Sequence, residues 1–227
     1  MAKLTYLGHS CFNLEDDKHK LIFDPFLSGN PLAQMSPEDI KVDYILLTHG
    51  HGDHLGDGIA IALKNNATII APFELAIYSQ NKGAKVHPMH IRGSFKFEFG
   101  KVKLTIAHHG SAVVDKVVEY TGNPCGYVVN FAGKNIYHAG DTGLFMDMKL
   151  IGEMNDLDLA LIPIGDDFTM GVSDAVKAVD FLKPKIVIPM HFDTFEVIKQ
   201  EPKEFKERLK RSKTKVKILK IEQEFSF

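Results

Sequence analysis

Cysteine is scarce in this chain of 227 residues: there are two, Cys11 and Cys125, with no CxxC spacing. Two isolated thiols exclude a disulfide framework. They read as small buried apolar side chains, and a reducing cytoplasm is the default compartment. Long apolar runs are absent too. No stretch approaches ~18 uninterrupted apolar residues, which excludes a membrane-spanning helix. The opening MAKLTYLGHS lacks an apolar h-region, so no secretory signal is expected. Linkers, low-complexity tracts and fixed-period repeats are also missing. Nor is there an excess of one charge. The net charge of −2 gives no global pull toward nucleic acid. The distribution is less even, because residues 199–220 hold ten Lys/Arg against three Glu. That segment reads as a solvated C-terminal helix and edge strand guarded by lysines, with a polyanion-binding patch as the alternative.

What is present is an ordinary globular composition, 44% hydrophobic and 25% charged. The length suits one domain over residues 1–227, built from one unit or two similar halves. Short apolar runs, several rich in β-branched residues, predict strands at 4–7, 20–23, 42–47, 68–71, 95–99, 102–107, 126–131, 134–137, 158–164, 185–190 and 216–221. Gly100 and Ala132-Gly133 read as hairpin turns. Helical apolar spacing falls at 55–65, 73–81, 144–154, 174–182 and 202–211, with Ser173 as a candidate N-cap and Pro202 in a first turn. Both halves begin with strands and continue in strand–helix alternation. Two sheets face to face with helices outside is the natural α/β packing.

The densest chemistry is THGHGDH at 48–54, directly after the apolar Tyr44-Ile45-Leu46-Leu47. Alternation along extended backbone sends His49 and His51 to one side, where they can share a metal. Asp53 and His54 follow as the chain turns into a helix and can aim at a second point. Imidazole nitrogen with carboxylate oxygen suits zinc, and also manganese, iron or nickel. One histidine in a Gly-rich loop is usually a surface residue; three with an aspartate at this spacing are not. Other candidates also end predicted strands: Asp24, His109, Asp141 and His191. Ligands gathered from separate strand ends are what a rigid metal site needs. Five histidines and two aspartates fill two adjacent metal positions with one shared carboxylate.

These motifs, in this order, resemble the metallo-β-lactamase superfamily. YLGHSCF, DPFLSGNP, HAGDTGLF, IPIGDDFTMG and IPMHFDTF are more narrowly similar to a prokaryotic branch of metal-dependent hydrolases related to the L-ascorbate 6-phosphate lactonases. The resemblance implies a four-layer αββα sandwich with two divalent ions, zinc first among them, at one edge of the sheets. By motif, His49, His51 and His109 would hold the first metal, and Asp53, His54 and His191 the second. Asp141 would bridge them, and Asp24 would orient a ligand histidine. His9 is expected near the site and joins Asp53 as a candidate for a catalytic role; a satisfied core histidine is the competing reading. AHHGS offers both His108 and His109. The pattern favours His109, and a slip of one residue would select His108. His138 reads as packing or support, and His19, His87 and His90 as surface or loop residues. A helix start after IGDDFTMG could receive an anion on its backbone N–H groups.

The expected activity is hydrolysis of a small ester, lactone or phosphoester by a metal-bridging hydroxide. The expected partner is a small anionic molecule; no membrane or nucleic acid is expected, and the sequence leaves homo-oligomers open. A phosphodiesterase or nuclease of the same fold is the alternative. Only residues 199–220 support it, and no insertion offers a nucleic-acid-binding arm. Flavodiiron oxidoreductases share the fold, but they carry Glu at the place of His51 and an additional flavin domain. A non-catalytic scaffold commonly loses ligands, and here the set is complete.

Overall fold

Alternation along the strands sorts side chains between two apolar layers. In the computed structural model, which describes residues 2–227, the strands are β1 (Lys3–Gly8), β2 (Cys11–Glu15), β3 (Lys20–Phe23), β4 (Tyr44–Leu46), β5 (Thr68–Pro72), β6 (Lys85–Met89), β7 (Ser94–Phe97), β8 (Gly100–Ile106), β9 (Ala112–Val114), β10 (Val118–Tyr120), β11 (Cys125–Phe131), β12 (Lys134–His138), β13 (Leu159–Pro163), β14 (Ile186–Met190), β15 (Lys215–Val216) and β16 (Glu224–Ser226). The helices are α1 (Gly52–Leu55), α2 (Gly58–Asn65), α3 (Phe73–Asn81), α4 (Met148–Asn155), α5 (Val172–Leu182) and α6 (Pro202–Arg208). One seven-stranded sheet runs β16-β1-β2-β3-β4-β5-β6, a second runs β15-β14-β13-β12-β11-β8-β7, and β9 and β10 form a separate ribbon. In each large sheet an antiparallel portion gives way to parallel strands, β3 to β6 and β12 to β15.

Leu21, Phe23, Leu46 and Ile70 point into the core between the sheets, where they join Val102, Tyr127 and Val129. Their neighbours Ile22, Ile45, Leu47 and Ile69 face the opposite way and pack with Ile61 of α2 and Leu75 of α3. Each such buried Leu or Ile contributes about 1.5–3 kcal/mol relative to exposure. The α4–α5–α6 layer covers the outside of the second sheet. This is the α/β sandwich expected from the sequence. The two sheets are also tied directly. The Tyr127 hydroxyl lies 2.7 and 2.9 Å from the carbonyl oxygens of Leu47 and Ile70 and donates to them at the exit of β4.

Several element assignments change. Strands β2, β6, β9, β10 and β16 add to those expected. Pro88 hides β6 from a pattern reading, but β6 is an edge strand, where a missing N–H costs no ladder bond. The helix expected at 55–65 begins at Gly58 as α2, and Gly56, with φ of 42°, ends the separate turn α1 before it. The strand expected at 216–221 stops at Val216. The helices expected at 144 and 202 begin at Met148 and end at Arg208 respectively. Ser173 is not a cap: Gly171 is, and the Ser173 hydroxyl accepts from Arg208. The turn near Gly100 is made by Glu98 and Phe99, because Phe97 pairs with Gly100. Glycine at 100 instead avoids a Cβ that would meet the Asn130 carbonyl. Ala132-Gly133 is a two-residue hairpin turn as expected, with φ of 49° and 77°.

Candidate metal centre

Every candidate residue leaves its strand at the same edge of the sandwich. His9 follows β1, Asp24 follows β3, and the THGHGDH segment follows β4 and enters α1. His109 follows β8, Asp141 follows β12, and His191 follows β14. His9, Asp24 and His191 have φ of 56°, 39° and 55°. This left-handed backbone costs a non-glycine residue roughly 1–2 kcal/mol. It turns the chain sharply at the strand end and leaves all three side chains buried at the sheet edge.

Two donor groups result. In the first, His49 Nε2 is 3.0 Å from His51 Nδ1, and His109 Nε2 is 3.3 Å from the same atom. In the second, ring nitrogens of His9, His54 and His191 gather with an Asp53 oxygen. Asp141 lies between the groups. Its Oδ1 is 3.2 Å from His54 Nε2; its Oδ2 is 3.0 Å from His191 Nε2 and 3.6 Å from His109 Nε2. A tetrahedral ion with nitrogen ligands at 2.0–2.1 Å separates its donor atoms by about 3.3 Å. The observed spacings therefore match atoms converging on a cation. Hydrogen bonding alone does not account for them: His54 Nε2, His191 Nε2 and Asp141 Oδ1 are buried without a hydrogen-bond partner. Such orphaned polar atoms are costly unless something is bound. The donor set fits a divalent metal.

The protonation states agree. Burial pushes His49, His51 and His109 below the usual histidine range, leaving them neutral with lone pairs free. Burial acts to raise the Asp141 carboxyl, but His191 and His54 outweigh it and hold it well below the usual range. His54 is opposed by burial, yet Asp141 and Asp24 together hold it well above the histidine range. In the metal-free protein a proton on His54 thus faces the two carboxylates, and a metal would displace it.

Asp24 supports both groups. Its Oδ2 accepts from His54 Nδ1–H at 2.8 Å and from the Thr48 hydroxyl at 2.7 Å. Thr48 Oγ1 in turn accepts from His49 Nδ1–H at 2.9 Å. One buried carboxylate therefore fixes the ring orientation of a histidine in each group and aims each Nε2 inward. Thr48 went unrecognised in the sequence; its place between a strand and the first ligand was the available signal.

His9 is fully buried, and burial pushes it down to about 4, so it carries one ring proton at neutral pH. Nε2–H donates to Asp53 Oδ2 at 3.1 Å, and Nδ1 accepts from Thr194 at 2.9 Å. Thr194 is a second residue that sequence reasoning missed. The structure brings His109 to the first group, while His108 is exposed and stacks on Phe145 at 4.8 Å. His138 is structural: Nε2–H donates to the Ser10 carbonyl, and Nδ1 accepts from Gly140 N–H. His19, His87 and His90 lie apart, against Phe99, Phe95 and Phe73. The start of α5 is not an open anion seat, because the Asp166 carboxylate lies beside its cap, Gly171. The strand end of the basic C-terminal segment is remote. Lys215 pairs with Ile186 at the start of β14, whereas His191 follows its end, about 16 Å away at ~3.3 Å per residue.

Comparisons with known proteins agree with this geometry. The family model for the β-lactamase superfamily domain matches residues 3–191. A metal-dependent hydrolase of the UPF0173 group from Anoxybacillus flavithermus is 57% identical over 205 residues, covering 89% of this chain and 91% of that protein. UPF0173 metal-dependent hydrolase YtkL of Bacillus subtilis is 57% identical over 210 residues, covering 91% and 92%. The solved structure of Igni18, a metallo hydrolase from Ignicoccus hospitalis, superposes with a TM-score of 0.90 at 35% identity, covering 100% of this chain and 99% of that one. With the full set of His and Asp donors at one sheet edge, the chain belongs to the β-lactamase superfamily, among its UPF0173 metal-dependent hydrolases.

Proposed function

We propose that this hydrolase works with two divalent ions on a small ester, lactone or phosphoester. The observation that carries the reading is Asp141, an ionised buried carboxylate set between two donor groups with one oxygen lacking any hydrogen-bond partner. When bound, the metals would activate water as the nucleophile at neutral pH and polarise the substrate's carbonyl or phosphoryl oxygen. Asp141 would offset the repulsion between two cations. Asp53, partly exposed where the other donors of its group are buried, would face the substrate side, held in place by His9. The mixed nitrogen and oxygen donors favour zinc, with manganese, iron and nickel as alternatives.

The nuclease alternative depends on the basic segment, whose lysines at 206, 210 and 215 line a hollow formed by α6, β15 and the turn between them. Two buried free thiols, Cys11 and Cys125, support a reducing, cytoplasmic setting. No helix among the described residues is long and apolar enough to cross a membrane. The test is metal analysis of protein purified without chelator and then given excess zinc or manganese, followed by a panel of lactones, esters, phosphodiesters and RNA. Two ions per chain and turnover of a small ester or lactone are expected. A stoichiometry of one or less overturns the two-metal reading. Nucleic-acid cleavage abolished by neutralising Lys206, Lys210 and Arg211 would put the nuclease in its place.

A further inference from the structure

The loops that surround the candidate centre differ from the rest of the surface in two independent ways. The first is charge. The chain has 27 Lys and Arg, yet residues 21–40, 42–63, 104–115, 117–133, 135–148, 150–176 and 186–198 contain none. Those stretches include Asp24 and every residue of the two donor groups except His9. The ionisable residues they do offer nearby are acidic: Asp166 and Asp167 line a hollow with Val197 and Gln200 beside the loop after His191. The second is apolar exposure. Eleven of the thirteen exposed large apolar side chains among the described residues lie in the same stretches, Val114, Val118, Phe168 and Phe195 among them.

Those on the β9–β10 ribbon and the loops of Phe168 and Phe195 are tied to the donor groups. The β9–β10 ribbon begins just after His109, and its base is pinned to the HxH loop: Ser111 Oγ accepts from Gly50 N–H at 3.1 Å and lies 2.8 Å from Thr121 Oγ1. Val114 and Val118 pair across the ribbon and are 68% and 73% exposed. Their face is the one opposite Val113, which packs on the core. Phe195 lies 5.7 Å from the His9 ring. Phe168, 54% exposed, rides a loop whose Met170 N–H donates to Thr142 O, next to Asp141. An exposed apolar surface of this kind marks a ligand or partner site. Apart from Lys116 at the turn of the ribbon and Lys199 past the Phe195 loop, these loops offer an anionic substrate no Lys or Arg, and it would meet Asp166 and Asp167; a neutral apolar one would bury the exposed side chains.

We infer that the site takes an uncharged ester or lactone with an apolar acyl group, held against the β9–β10 ribbon and the loops carrying Phe168 and Phe195. This rests on the hydrolase reading and narrows its substrate class. The test uses metal-loaded protein and calorimetry with alkyl hydroxamates, which present a metal-seeking head on a variable tail and need no turnover. Affinity rises at least tenfold from acetohydroxamate to octanohydroxamate, and the monohydroxamate of succinic acid binds no better than acetohydroxamate. Val118→Glu and Phe168→Asp each reduce that tail-length gain. In parallel, kcat/KM on p-nitrophenyl esters climbs from acetate to octanoate and is lower on the hydrogen succinate ester. Tail-independent binding, or preference for the anionic tail, overturns the inference, whether or not esters are hydrolysed. Tail-dependent binding without hydrolysis of any ester leaves the apolar-tail preference standing and sinks the ester reading of the proposed function. If Val118→Glu changes only the oligomeric state, the apolar face belongs to a second copy and the inference fails. No binding of any hydroxamate at saturating metal overturns both.

Discussion

Asp24 touches no other candidate ligand except His54, yet through Thr48 it also governs His49. Asn at this position keeps the size but has one acceptor oxygen for the work of two. Asp24→Asn is expected to weaken metal binding about 10–100-fold, read by competition with a chelating dye. His138, by contrast, serves the fold. Burial pushes it below the usual histidine range, and its Nδ1 already accepts from Gly140 N–H, so a second ring proton has nowhere to go. Above pH ~6.5 the folded and unfolded chains both hold it neutral, and its contribution to stability is complete. As pH falls below that value the unfolded chain takes up the proton first, so stability is lost on the way down to the folded pKa. Burial gives His49 and His9 the same sign. His54 has the opposite one. His138→Gln, which can donate to Ser10 O and accept from Gly140 N–H, should fold and show a shallower loss of stability between pH 6.5 and 5. Urea titrations of the metal-free proteins measure this; parallel pH profiles for the two proteins would refute it.

Among the elements, helix packing is tightest where α4 crosses α5. A Cβ on Gly152 would collide with the Leu182 backbone at the end of α5. Alanine is the better helix former by about 1 kcal/mol. The clash is with backbone that cannot rotate away, so Gly152→Ala is expected to destabilise by a net ~1–3 kcal/mol. A raised melting temperature would show that the two helices can separate at no cost. The same logic explains the strand ends. Asp24 and His191 hold left-handed backbone because neighbouring loops fix them: Asp24 N–H donates to Leu46 O, and His191 N–H donates to His9 O. The second bond joins the ends of β1 and β14, one from each sheet.

At the scale of the whole molecule, the candidate metal centre lies across the seam between the two sheets. Asp53 and His54 come from the first sheet's side, and Asp141 and His191 from the second. A bound metal therefore links the two halves and stabilises only the folded chain. Metal held at 100 times its Kd adds about 2.7 kcal/mol. Chelation should lower the melting temperature by several degrees, and restoring zinc or manganese should recover it. A melting temperature that does not change with metal would mean the donors do not hold an ion in the folded state. The chelator effect should be large for wild type and small for Asp141→Ala.

Much of the site was legible without coordinates. HxHxDH spacing, with His109, Asp141 and His191 each after an apolar run, picks out the candidate donors, and Asp24 their support, because strand ends are visible as places where hydrophobic periodicity stops. The layered α/β architecture follows from the same periodicity. Three things required the tertiary structure. His108 and His109 are neighbours, and only the register of β8 against β11 decides which one turns inward. The links from Asp24 through Thr48 to His49, and from Thr194 to His9, join residues whose short polar side chains carry no periodic signal. The strands β6, β9, β10 and β16 are short, partly exposed or interrupted by proline, so their local pattern is weak; pairing partners far along the chain make them strands. What the sequence by itself determined is which residues hold lone pairs and where the chain can bury its apolar surface. Which atoms converge was decided by the packing of one sheet on the other, because convergence is a property of distances between segments, and no local pattern contains those.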